Sequence, residues 1–385
     1  MTRCTPCCTG EPQGTTGHET QVIRYRTPKS LPSPLAGWSV ALMLVLAALL
    51  PSGPANARDL TVALHEMLAP GALRDSVIRP FADLAAIAID IQPWEGGTAA
   101  LRTRLEAQPG WDVLSLTGAE VLAGCEAGLL EKLDWTALGG RDRLLPGGAS
   151  ECGLGLALRA LVLAWDRDKL PAGATPGWAE FGDVVKLPGR RGLRKQPRGT
   201  LEVALMADGV PPAEVYRQLR TDAGIDRAFR KLEQLRPYII WWQDEIEAAR
   251  LLASGEVLMT TGPSTGIAEA IRQDGRAFTL QWTGAVTSVV AMAIVRGSPG
   301  QAGPNQANAI RLLSHAADPR TQAALAAATA LGPLARGALD TLPPEAQALL
   351  PTSPAALAAT LPADEAFWRD NLARLAQRFD AWLPR

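Results

Sequence analysis

The feature that most constrains this chain is a run of sixteen residues without a charge, 35–50 (LAGWSVALMLVLAALL). It is shorter than the about 20 residues that span a bilayer as a helix. Arg24, Arg26 and Lys29 precede it; Pro51, Ser52, Gly53 and Pro54 break the helix after it, and Ala55, Asn56 and Ala57 follow. A basic segment, an apolar core and a small-x-small site, in that order, predict a secretory leader over 1–57, cut after Ala57. The competing reading is an uncleaved anchor. Residues 1–23 read as neither leader nor domain. No cysteine follows the apolar run closely, so no acyl anchor is expected.

Removal of the leader takes Cys4, Cys7 and Cys8 with it and leaves Cys125 and Cys152. An even pair in an oxidising compartment predicts a disulfide between them; two free buried thiols are the alternative. The whole chain has net charge −1, and the part after Ala57 has −3. This gives no electrostatic case for a nucleic-acid partner, which calls for a basic excess. With 47% apolar and 20% charged residues the chain is not disordered as a whole. Of its three histidines only His65 and His315 lie after the leader. They are too few for a metal centre, and no cofactor is expected.

Beyond the leader, strand-like and helix-like segments alternate. Residues 59–64, 86–92 and 111–116 read as strands; 69–84, 98–107 and the stretch from Ala119 read as helices. That rhythm predicts a mostly parallel sheet covered on both faces. Strands are also expected at 157–166, 238–242, 256–261 and 287–295, and helices at 200–208, 226–235, 245–253 and through the Ala/Leu-rich stretch from Gln306 onward. The basic segment 189–198 (GRRGLRKQPR) reads as a solvated loop, with a phosphate-binding patch as the alternative.

Several segments gain meaning from their order: Trp178 to Phe181 (WAEF), 187–194 (LPGRRGLR), 204–210 (ALMADGV), Trp241 and Trp242, 251–257 (LLASGEV), and Phe367, Trp368 and Arg369. Together they resemble landmarks of the periplasmic solute-binding proteins of ABC importers, in the spermidine/putrescine-binding branch. The resemblance implies a two-lobed α/β fold of type II, with a cleft between lobes joined by crossing strands. Lobe 1 is expected over 58–157 and 289–331, and lobe 2 over 158–288 and 332–385. It implies a periplasmic monomer, not an enzyme, that closes on a small polar solute and delivers it to an ABC permease in the inner membrane.

Polyamine binders hold ammonium groups with carboxylates and stack the methylene chain on aromatic rings. Here the first ligand loop keeps an acid, Glu66, but offers Leu64 or His65 for the family's aromatic. The loop after 112–114 supplies Thr117 and Gly118. The family's aromatic-Asn-Gly is replaced by Gly262, Pro263, Ser264, Thr265 and Gly266; its crossing-strand aromatic and aspartate by Ser288 and Val290; its Tyr-Gly-Pro by Leu331, Gly332 and Pro333. Most of the cation cage is missing. Hydroxyls and glycines at two helix starts suit an anion or a neutral polar group, with ordinary N-capping as the alternative. The expected ligand-binding set is His65, Glu66, Thr117, Gly118, Trp242, Ser264, Thr265 and Ser288. Trp94 and Trp242 fit either the cleft or the core. Acids at Asp244, Glu245 and Glu247 are read as favourable first-turn charges of a helix.

Two other functions compete. Residues 262–266 match Gly-x-Ser-x-Gly, the nucleophile elbow of serine hydrolases, with His315 as the available base for Ser264. A non-transporting sensor or scaffold is the third reading.

Overall fold

A computed structural model describes residues 59–107, 110–297 and 304–383. The expected leader, its cleavage site and Cys4, Cys7 and Cys8 lie outside the described residues. Ten strands form one sheet: β1 (Leu60–His65), β2 (Ile89–Trp94), β3 (Val113–Thr117), β4 (Leu154–Asp166), β5 (Arg191–Arg194), β6 (Ile239–Trp242), β7 (Met259–Pro263), β8 (Phe278–Ile294), β9 (Gly332–Pro333) and β10 (Leu361–Pro362). The helices that matter below are α1 (Thr98–Ala107), α2 (Gly118–Glu126), α3 (Pro197–Ala207), α4 (Asp222–Leu235), α5 (Glu245–Ser254), α6 (Ser264–Asp274), α7 (Pro304–Ala316), α8 (Pro319–Thr329) and α9 (Glu365–Trp382).

The strand order is β2-β1-β3-β8-β4-β7-β5-β6, with β10 beside β8 and β9 beside β4. At one end β2, β1 and β3 run parallel; at the other β7, β5 and β6 do. The long strands β4 and β8 pair antiparallel between the two parallel sets. The expected parallel sheet is therefore present twice, joined by antiparallel strands long enough to serve both ends. The alternation of side chains explains how each end is covered on two faces. Leu60, Val62 and Leu64 of β1 pack with Val113, Met292 and Ile294, while Ala63 packs on the other face with Leu114, Leu116, Ala291 and Ala293. At the far end Leu163, Trp165 and Leu193 pack against α3, α4 and α9, and Ala164 and Trp242 pack against α5. Ala335 and Ala338 pack with the first of these cores.

The chain is helical from residue 70 to residue 85, widened by a π turn at Arg74–Ile78. Pro80 has no N–H to donate and would crowd the carbonyl one turn earlier, which a wider turn accommodates. The Cys125–Cys152 disulfide is present, with Cα atoms 5.7 Å apart. It ties the last turn of α2 to the segment that enters β4.

The segment read as a solvated loop, 189–198, is a strand and a helix entry instead. Arg191 is fully buried and donates to the carbonyls of Phe181, Gly189 and Leu187 at 2.8, 2.7 and 2.6 Å. Its charge is spent on tying down three loop carbonyls, and Arg194 ends the strand four residues before Arg198.

Candidate functional site

Charged side chains converge where β4 and β8 pass from one end of the sheet to the other. A cavity of about 310 Å³ lies there. One wall comes from the first half of the fold: His65 at the end of β1, Thr98 of α1, and Thr117 and Glu120 at the start of α2. The other comes from the second half: Arg194, Arg198, Pro263 and Thr265. Arg159 of β4 and Ser288 of β8, which are register partners, form the floor.

Each charge is positioned by local structure. Thr117 leaves β3 extended and caps α2, receiving the Glu120 N–H, while the Glu120 carboxylate takes the Thr117 N–H at 2.8 Å and its hydroxyl at 2.9 Å. This reciprocal cap satisfies donors that a helix start leaves open. The other Glu120 oxygen accepts from the Gly97 N–H and lies 3.5 Å from His65 Nε2. His65 Nδ1 accepts from the Met67 N–H at 3.1 Å, so the ring proton sits on Nε2 and faces Glu120. Burial would raise the Glu120 carboxyl, but the hydrogen bonds from His65, Thr117 and Gly97 outweigh it and hold the group below its usual range. Glu120 is therefore an anion in the wall.

On the opposite wall the parallel register sets Arg194 beside Trp242, and the guanidinium lies 5.6 Å from the indole. Among the described residues it pairs with no carboxylate. Arg198 and Gly199, the latter with φ of +86°, are non-helical and kink the first turn of α3. Arg198 Nη2 lies 2.8 Å from both oxygens of Glu365. Arg159 pairs with Glu245, the first residue of α5. Burial pulls Arg159 and Arg194 down to about 10, helped by their arginine neighbours. Both stay charged at neutral pH, and the mutual effect marks three guanidiniums sharing one space.

The expected site residues divide. His65, Thr117, Thr265 and Ser288 line this cavity. Gly118 does not, but lies beside it, where a Cβ would meet Glu365 at 3.0 Å. Glu66 is exposed and lines a separate shallow recess with Pro70, Arg74 and Gln92. Trp242 is fully buried and reaches the cavity only through Arg194, which stacks on it. Ser264 is 1% exposed, and its Oγ has no hydrogen-bond partner among the described residues. His315 sits on α7 against Phe81 and 3.5 Å from the Thr321 hydroxyl. Among the described residues no hydrogen bond joins Ser264 to His315. The sequence reading did not anticipate Arg159, Arg194, Arg198, Glu120 or Glu365.

A larger cavity, about 920 Å³, shares Ser288 and Ala363 with this one and is lined also by Gly118 and Glu365. Val121, Leu122, Leu158, Val289 and the disulfide form much of its wall. Its lining also carries Lys132, Glu151, Arg296 and Glu365, but none of Arg159, Arg194 and Arg198, and the smaller cavity with that cluster is the candidate site.

Residues 78–352 match the family model described as bacterial extracellular solute-binding protein. A gamma-aminobutyric acid-binding protein from Pseudomonas aeruginosa is 35% identical over 86% of this chain and 92% of its own length. The structure of an ABC transporter substrate-binding protein from Bradyrhizobium japonicum USDA 110 superposes with a TM-score of 0.73, at 30% identity, over 84% of this chain and 99% of that one. The Atu4243-GABA receptor superposes with a TM-score of 0.74, at 25% identity, over 84% of this chain and 97% of the other.

Proposed function

The chain belongs to the bacterial extracellular solute-binding proteins, and from that premise we propose that it captures a small zwitterion, an ω-amino acid of the 4-aminobutyrate kind, in the cleft of Arg159, Arg194 and Glu120. Its fold is that of the type II periplasmic binding proteins. The lobes are taken as 58–157 with 289–331 and 158–288 with 332–385. The exported monomer, freed of its leader after Ala57, hands the solute to an ABC permease.

One observation carries the choice of solute: Arg194 faces the cleft with no carboxylate partner among the described residues. Arg159 and Arg198 are each neutralised by a glutamate. The uncompensated cation therefore wants one carboxylate, which a planar guanidinium takes through two parallel hydrogen bonds. Glu120 on the facing wall, an anion, suits the ammonium end. A polyamine would bring two or more positive charges to a cleft that already holds three arginines. The shared ligand class of two relatives, both described by 4-aminobutyrate, points the same way.

Titration calorimetry of the purified protein with 4-aminobutyrate and with putrescine tests this. Binding of 4-aminobutyrate is expected, weakened at least about 10-fold in Arg194→Gln, since a lost charge-assisted hydrogen bond is worth about 1.5–3 kcal/mol. Binding of putrescine in preference to 4-aminobutyrate would overturn the reading.

A further inference from the structure

Glu365 belongs to α9, whose Phe367, Trp368, Leu375 and Phe379 are packed into the second half of the fold. Its carboxylate nonetheless reaches the first half. Its Cγ and Cδ sit 3.0 Å from where a Cβ on Gly118, the first residue of α2, would stand, and the Ala119 backbone there draws its carboxyl pKa down. The same carboxylate receives Arg198 at 2.8 Å through both oxygens. One group thus fills a helix N-terminus on one wall of the cleft and a guanidinium on the other. Both are places where a bound carboxylate would be stabilised.

We propose that Glu365 is a positioning residue, an internal carboxylate that latches α2 to Arg198 across the cleft and holds the empty protein closed. The latch rests on the two-lobed cleft reading but not on the identity of the solute. By occupying Arg198 it also leaves Arg194 as the cation that receives the solute. A second contact between the same helices, Arg369 with Glu126, lies at the surface, where such pairs contribute little.

Burial pushes the Glu365 carboxyl above its usual range, against the pull of Arg198 and the Ala119 backbone, and the nearby Glu120 adds to the rise. The other ionic groups on the elements packed around it are already engaged. Glu120 meets His65, Asp364 meets Arg220, and Arg369 meets Glu126 and Asp370; Glu202 of α3 accepts neutral donors. Glu365 is the group through which acidification removes the charge of the latch itself, and Glu365→Gln isolates that contribution. The neutral acid keeps neither its attraction for Arg198 nor its hold on the helix start.

Small-angle scattering of the solute-free protein tests the latch. The wild type is expected to be compact at neutral pH and to expand as the pH is lowered toward the ordinary glutamate range. Glu365→Gln should be expanded throughout, with no such pH response. Gly118→Ala, which crowds the carboxylate from the other wall and leaves the sequence of α9 unchanged, should also expand. Circular dichroism confirms that each variant is folded. Equal radii of gyration for wild type and both variants would overturn the proposal, as would a wild type already expanded at neutral pH. Adding 4-aminobutyrate separates the two readings. Compaction of wild type by the solute, with no effect of Glu365→Gln on the empty protein, would sink the latch alone. Expansion of Glu365→Gln without any solute response would sink the solute assignment alone.

Discussion

Glu202 is fully buried, and all the donors its carboxylate meets are neutral: the Gly199 N–H at 2.8 Å, the Tyr216 hydroxyl at 2.8 Å and the Trp368 indole N–H at 2.7 Å. Burial pushes its carboxyl up; the bonds from Tyr216 and Trp368, its own backbone N–H and the charge of Arg198 only partly oppose it. The consequence for stability has a definite sign. A carboxyl with a raised folded pKa binds its proton more tightly in the native state than in the unfolded chain. Stability is then lost as pH rises from the unfolded value, about 4.3, through the folded one. Urea midpoints of wild type and Glu202→Gln, measured from about pH 4 to pH 8, should diverge, with the wild type falling relative to the variant. A constant difference across that range would mean that Glu202 does not titrate in the folded protein.

The residues of the cleft were unequally legible, for reasons visible in their neighbours. Thr117 was legible as the start of a helix, while Glu120, three residues on and its partner in the cap, was passed over. Arg159 left a signal that the sequence reading passed over: it is the lone charge before the closing Asp166 in the thirteen residues of β4. A charge in so apolar a strand needs a partner or a ligand, and here it has Glu245. Arg194 and Arg198 were hidden by the charges around them. Residues 189–198 carry five Arg or Lys, and no pattern in such a run distinguishes the guanidinium buried against carbonyls from those that face the cleft. Glu365 lies about 170 residues from Arg198 along the chain, so no local pattern could join them.

Elements were easier to read than contacts. The first three strands and their helices follow the expected order, because alternation and helix starts are local properties. The long strand β8 was seen only in its second half. Its first half, Phe278 to Ala285, contains Gln281, Thr283 and Gly284 and lacks the continuous apolar run that marks Thr287 onward. That first half pairs with the end of β4, so its strand state is fixed by a distant partner. The disulfide is an element-scale device of another kind. It closes a loop across 27 residues, fastening α2 at its last turn while Thr117 and Glu120 fix its first. Loop closure of that length stabilises by about 3.5 kcal/mol through the unfolded chain. Reduction under mild conditions should lower the urea unfolding free energy by about 3 kcal/mol. An unchanged midpoint in the presence of reductant would show that the bridge does not contribute.

At the scale of the whole molecule, the two ends of the sheet have separate cores, and the crossing of β4 and β8 is a main link between them. Two shifts of register interrupt the β4–β8 ladder, one between Gly155 and Ala157 and one between Leu161 and Leu163. They flank Arg159, so the ladder is irregular on both sides of the cleft floor, where bending about the crossing disturbs the fewest regular hydrogen bonds. Halves with independent cores and a narrow connection have no physical reason to unfold at one temperature. A solute that touches Arg194 on one wall and Glu120 on the other changes this, because either half must release it on unfolding. At a hundred times its dissociation constant the solute adds about 2.7 kcal/mol, worth several degrees for a chain of this size. Differential scanning calorimetry should therefore show a broad or double transition for Glu365→Gln without solute. With saturating 4-aminobutyrate that transition should narrow toward one and move to higher temperature. A solute that shifted one component and left the other in place would be bound by one half only, and the cleft would not be its site.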